Sequence, residues 1–226
     1  MSFLDTCIQQ SLPIWRSCLG TPFLQGVADG TLPEDRFMGY IVDDSLYLRE
    51  YAKVFAWGML HARNMEEIRT YYSLLAFVNE AEDSTRRYYL KRYGLRDEAI
   101  QSLPLRPENR AYVDYMLAAA RDGQGAAECM MACLPCMLSY GWIFGEMLRL
   151  HPGVLETPYR PFVSDYAGGR YDSICKTWAA FTERACAGLT PEREARCREI
   201  FRSCSLHEYR FWEMSAQPRT DLAPAT

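Results

Sequence analysis

Between Cys129 and Gly145 the chain runs without a single charged residue (CMMACLPCMLSYGWIFG). Such a stretch has to lie in lipid or be surrounded by other elements, and either outcome constrains everything else in the fold. It is shorter than the roughly 20 apolar residues that span a bilayer, and Pro135, Ser139 and Gly141 interrupt it. The reading is therefore a buried central helix with no membrane as partner, and the neighbouring segments must supply the faces that cover it.

Those segments read as helices. Phe37, Tyr40, Ile41, Leu48, Tyr51, Ala52 and Phe55 recur at helical spacing between Pro33 and Met59, with Thr31 as a candidate N-cap. Residues 64–93 read as one long amphipathic helix that Gly94 stops. Two prolines make 102–107 a connection, and Pro107 to Arg121 is again helical. The uncharged run belongs to a helix over Gly125–Leu150, closed by His151-Pro152-Gly153. The stretch 157–169 is rich in turns at both ends. Two last helices follow over 170–187 and 191–214, the second with Thr190 as N-cap and Pro191 at the first helical position. No alternating segment argues for a sheet, so the fold class is all-α, a single helical domain over residues 1–216. The polar, Pro/Ala-rich tail 217–226 is expected to be disordered.

The net charge is -4, with 24% charged residues and no basic stripe, which excludes nucleic acid as a natural partner. The N-terminus (MSFLDTC) lacks the basic then apolar pattern of a secretory signal, so a cytoplasmic location is expected. Nine scattered cysteines, an odd number, fit reduced thiols better than a disulfide framework. No metal site is read: His61, His151 and His207 do not stand three residues after a Glu, and no cysteine pair has a zinc-finger partner.

Three constellations carry possible chemistry. Cys129, Cys133, Cys136 and Tyr140 share one face of the uncharged helix, and Pro135 removes a backbone donor beside Cys136. From spacing alone the plainer reading of each of these thiols is a small core hydrophobe. Asp44 shares a face with Tyr47 and Tyr51, where a buried carboxylate is costly unless paired; Asp43 and Asp44 together read equally as a solvated face. In the last helix Cys204, Glu208, Phe211 and Trp212 form a stripe, which sets Glu208 among bulky residues, with pairing to Arg202 or Arg210 as the plainer alternative.

Ordered blocks along the chain then carry a resemblance. They are PFLQGVADGTL from Pro22, DDSLYL from Asp43 with YAKVF from Tyr51, Ala111-Tyr112 with Met116, and Leu134-Pro135-Cys136 with Tyr140 and Glu146. Tyr159-Arg160-Pro161-Phe162-Val163 with Tyr166, and EYRFWEM from Glu208, complete the set. With these blocks in this order the chain resembles the TenA (thiaminase II, aminopyrimidine aminohydrolase) family of its cysteine type. The resemblance implies a heme-oxygenase-like helical bundle without cofactor, usually a homotetramer. It implies thiamin salvage by hydrolysis of 4-amino-5-aminomethyl-2-methylpyrimidine, a small-molecule substrate, to the hydroxymethyl pyrimidine, with thiamin cleavage as a second activity. It assigns Cys136 as nucleophile and Glu208 as proton shuttle. Asp44 would bind the 4-amino group and ring nitrogen, and Tyr47, Tyr112, Tyr140 and Tyr166 would line the pocket. The sequence departs from the family pattern at Thr21 and in Glu82–Arg87, where the family often places histidines.

Overall fold

The uncharged run forms the middle of a helix, α8 (Ala126–Leu150), covered almost throughout. In the computed structural model, which describes residues 2–80 and 83–222, Cys129 to Pro135 are all buried, as are Met137, Ser139, Tyr140, Ile143 and Phe144. By length and composition α8 could cross a membrane, yet 78% of its most apolar stretch is buried inside the protein. Its apolar surface is removed from water by other helices. These are α1 (Phe3–Leu19), α3 (Glu34–His61), α7 (Pro107–Arg121), α10 (Gly169–Ala185) and α11 (Pro191–Ser215), each packed against α8. No strand occurs among the described residues.

Local signals set most of the boundaries. Ser2 and Asp5 form a reciprocal capping box at the start of α1. The Thr190 hydroxyl accepts from the Arg193 N–H at 3.4 Å and Pro191 opens α11, as the sequence predicts. Thr31 does not cap α3: its N–H and that of Leu32 both bond the Gly26 carbonyl, closing α2 (Pro22–Asp29), and the N-cap falls on Pro33. Gly30 makes this closure at φ +72, and a Cβ there would also meet Thr157 Cγ2 at 2.8 Å. The predicted helix over 64–93 corresponds to α4 (Met65–Glu80) and α5 (Asp83–Arg92), with residues 81–82 outside the described residues. Gly94 ends α5 at φ +64. A short α6 (Asp97–Gln101) follows. The turn-rich stretch holds α9 (Arg160–Tyr166), which comes after a 3-10 turn over Pro152–Glu156.

Of the tail from residue 217, for which the sequence predicts disorder, Gln217–Leu222 is described and lies against the bundle, with Arg219 7% exposed. The Arg219 guanidinium meets the buried Asp43 carboxylate at 2.6 Å, a long-range partner that tail composition does not reveal. Residues 223–226 lie outside the described residues.

Candidate active site

Five helices bring the proposed residues to one place. α3 supplies Asp44 and Tyr47, α7 Tyr112, α8 Cys136 and Tyr140, α9 Tyr166, and α11 Glu208. The Tyr112 hydroxyl donates to Glu208 Oε1 at 2.6 Å. The Cys136 thiol is hydrogen-bonded to the same carboxylate. The Glu208 side chain is therefore held by a phenol and a thiol, and the arginine pairing that the sequence left open is absent among the described ion pairs. The Tyr47 ring lies 5.1 Å from Tyr112 and 5.8 Å from Phe211. Tyr140 meets Tyr166 edge-on at 5.0 Å and Trp212 at 4.9 Å, and its hydroxyl is 3.2 Å from that of Tyr40. Tyr47, Tyr112, Tyr140 and Glu208 are buried, whereas Asp44, Cys136 and Tyr166 keep partial exposure.

Burial sets the protonation states. It pushes Glu208 up to about 7; the Tyr112 and Cys136 hydrogen bonds oppose this and the charge of Asp44 adds to it. Burial also pushes Asp44 up to about 7, with the charge of Arg86 lowering it and that of Asp43 raising it. Burial holds the phenols of Tyr47, Tyr112 and Tyr140 far above their ordinary range, so they stay neutral donors. Two acids that titrate near neutrality, one in contact with a thiol, can take a proton, deliver it and take another. The aromatic walls suit a flat ring.

Neighbouring aspartates separate cleanly, as a 100° step around a helix requires. Asp44 lies close enough for its charge to act on Glu208 and Tyr140, while Asp43, fully buried, is bonded by Arg106 and by Arg219. The solvated face that the sequence left open for this pair is not what forms. Sequence reading also missed Arg86, whose guanidinium reaches Ser45 Oγ at 3.4 Å and Asp97 at 2.9 Å. It stands in the 82–87 stretch where the family often has a histidine; Glu82 itself lies outside the described residues. Missed as well was His207, whose ring lies parallel to Tyr112 at 5.2 Å.

Two surface clefts of about 320 and 250 Å³ lie around the N-terminal end of α8, lined by Arg63, Glu67, Arg184 and Arg193 in one case and by Gln124, Glu128 and Arg196 in the other. Neither includes a residue of the cluster. Cys136 sits ten positions into α8 from Ala126, about 15 Å along the axis. Among the described residues no group of three or more His, Cys, Asp or Glu side chains could hold a metal ion.

Comparison with known proteins gives consistent matches over nearly the whole chain. The model of the TENA/THI-4/PQQC family matches residues 8–217. The chain is 30% identical over 220 residues to an aminopyrimidine aminohydrolase of Halalkalibacterium halodurans, covering 97% of each. A TenA homologue from P. horikoshii superposes with a TM-score of 0.82 at 26% identity, covering 95% of this chain and 98% of that one. A domain with a heme oxygenase-like fold from Shewanella denitrificans superposes with a TM-score of 0.74 at 14% identity, covering 94% and 91%.

Proposed function

Because the chain belongs to the TENA/THI-4/PQQC family, we propose that it hydrolyses 4-amino-5-aminomethyl-2-methylpyrimidine to the hydroxymethyl pyrimidine and ammonia, with Cys136 as nucleophile. The observation that carries this reading is a partly exposed thiol hydrogen-bonded to a buried carboxylate that titrates near 7, inside a ring of neutral phenols. The Halalkalibacterium halodurans relative, 30% identical over nearly the whole chain, is an aminopyrimidine aminohydrolase, which supports the reading.

The chemistry follows from where charge must go. Asp44 accepts from the 4-amino group and from a protonated ring nitrogen, which makes the ring electrophilic. Glu208 takes the proton of Cys136, and the thiolate adds to ring carbon 6, next to the substituted carbon 5. The 4-amino group then pushes electrons through carbons 4 and 5 and expels the amine from the 5-methylene, with Glu208 returning its proton to the leaving nitrogen. Water adds to the exocyclic methylene, giving a proton to Glu208. Electron return to the ring expels the thiolate, which recovers that proton. The net change is R–CH2–NH2 plus H2O to R–CH2–OH plus NH3. Thiamin cleavage follows the same electron flow with the thiazole as leaving group, and belongs to the proposal as a second activity.

The proposal extends to a cytoplasmic homotetramer in thiamin salvage. The exposed Leu60, Met65 and Tyr72, at 73%, 58% and 68% exposure, are surface that such an assembly would cover. The test is ammonia release from the purified chain. Wild type is expected to turn over, and Cys136→Ser to lose at least about a thousandfold in kcat while still binding the hydroxymethyl product in calorimetry. Full activity in Cys136→Ser removes the covalent route. Pyrimidine binding without ammonia release by wild type identifies instead a non-catalytic binding protein on the same fold.

A further inference from the structure

The segment that follows α11 reaches back across the protein to the residue beside Asp44. Arg219 Nη1 donates to Asp43 Oδ1 at 2.6 Å, and Arg106 Nη2 donates to Asp43 Oδ2. Arg219 Nη2 also donates to the Pro104 carbonyl at 2.8 Å, and its guanidinium is bound by the Asp221 carboxylate at 2.8 and 2.7 Å. Arg106 returns a bond to the Gln217 carbonyl at 3.1 Å, and Arg36 bonds the Ala216 carbonyl. Asn109 Nδ2 holds the Asp43 carbonyl at 2.9 Å. The segment lies directly on α3: a Cβ on Gly39 would meet the Arg219 backbone nitrogen at 3.5 Å.

The side chains of Asp43 and Arg219 are 0% and 1% exposed. Taking both charges out of water costs about as much as their attraction returns, so such a pair is a poor source of stability compared with apolar packing. What it does supply is a fixed arrangement, because both Asp43 oxygens and the Arg219 guanidinium are bonded in one geometry. The cluster is also balanced, two arginines against Asp43 and Asp221, so it fixes the backbone without presenting net charge. One peptide unit, about 3.8 Å between Cα atoms, separates Asp43 from Asp44.

We propose that Gln217–Leu222 is a strap that positions the Asp44 carboxylate for pyrimidine recognition, with Arg219 as the positioning residue acting through Asp43. The inference rests on the reading of Asp44 as the group that binds the 4-amino edge of the substrate. A merely structural role for Arg219 lowers the folded fraction and weakens every ligand alike. A positioning role instead erodes the preference for a ligand whose 4-substituent donates over one whose 4-substituent accepts.

The experiment measures dissociation constants of 4-amino-5-hydroxymethyl-2-methylpyrimidine and of its 4-oxo counterpart by calorimetry, on the full chain and on Arg219→Ala and Arg219→Lys. Wild type is expected to prefer the 4-amino ligand by at least about a hundredfold, since a site built for one hydrogen-bond pattern rejects its inverse. Arg219→Ala is expected to shrink that preference about tenfold, and Arg219→Lys, which keeps a cation on Asp43 but not the fork that also holds Pro104 and Asp221, to restore only part of it. If Arg219→Ala does not accumulate as folded protein, Asp43→Asn, which removes the anion from the same contact, is expected to shrink the preference likewise. An unchanged preference, with both affinities lowered in parallel, overturns the strap. Ammonia release is scored separately: a strap-dependent preference without turnover sinks the hydrolase reading and leaves the strap standing. A wild type with no preference removes the role of Asp44 and the strap with it.

Discussion

Replacing Tyr112 by Phe removes one hydroxyl, and its effect can be worked out from the bond it deletes. That hydroxyl donates to Glu208 at 2.6 Å in a buried setting, and it lowers a carboxyl that burial otherwise raises. A hydrogen bond to a charged group is worth about 1.5–3 kcal/mol, which moves a titration by about one to two pH units. Glu208, at about 7 in the wild type, therefore becomes a weaker acid. Its ionised fraction at pH 7 falls from roughly half to roughly a tenth or less, and the thiol loses its proton acceptor in the same proportion. The expected result is kcat/KM lower by roughly 5- to 50-fold at pH 7 and recovering towards the wild-type level as pH rises to about 9. Because Asp44 also titrates at about 7, the wild-type acid limb contains both groups, and the variant should separate them into two steps. The assay is ammonia release across pH 5.5–9.5 at low substrate, with far-UV circular dichroism as a folding check. A loss of the same size at every pH would refute the argument, since it would place Tyr112 against the substrate and not behind Glu208.

Two further outcomes follow from the same groups. Glu208→Gln should abolish turnover yet stabilise the protein above pH 7. The folded pKa of Glu208, about 7, lies above its ordinary 4.5, so its stabilising contribution is complete below pH 4.5 and lost as pH rises through 7. The variant should therefore gain up to about 3 kcal/mol on wild type in urea unfolding at pH 8 and nothing at pH 4.5, and equal stability at both pH values would contradict the buried-acid account. Brief iodoacetamide treatment of the native protein should label Cys136 first, because the other eight cysteines are buried, and the hydroxymethyl pyrimidine should protect it; uniform labelling read by peptide mass spectrometry would contradict the proposed access to the site.

What was legible in the sequence were features whose cause is local. The uncharged run, the Thr190-Pro191 start and the Gly94 stop each act within a few residues, and each appears in the structure where the sequence puts it. Thr31 is not the cap because it and Leu32 still belong to the turn that closes α2 on the Gly26 carbonyl, and α3 starts only after Pro33. The fate of Asp43 and of the tail was out of reach for the same physical reason in stronger form. Their partners, Arg219 and Asp43, are 176 positions apart, and nothing in the composition of either segment encodes the other. The candidate site stands between these cases: periodicity put Asp44 with Tyr47 and Glu208 with Phe211, and only the family resemblance joined the helices.

The crowd of thiols shows what distinguishes a candidate nucleophile from a core residue. Cys129, Cys133 and Cys136 share one face of α8, and spacing alone cannot rank them. Burial pushes Cys129 up to about 12 and Cys133 far above its ordinary value. Burial also dominates for Cys18 and Cys204, and the charge of Glu208 raises both further. Proximity to the carboxylate is thus not enough, because an inaccessible thiol near a negative charge is only made harder to ionise. Cys136 differs in two respects at once: it donates a hydrogen bond to Glu208, so a proton has somewhere to go, and it alone among the nine cysteines is partly exposed. The proline one residue before it belongs to the same arrangement. Without an N–H at position 135 the Met131 carbonyl loses its helical partner; independently of that, donors from other helices bind the Cys133 and Met137 carbonyls, Tyr51 at 3.0 Å and Tyr171 at 3.1 Å. Those bonds tether α8 on either side of Cys136 to α3 and α10, which fixes the sulfur's height in the bundle opposite Glu208.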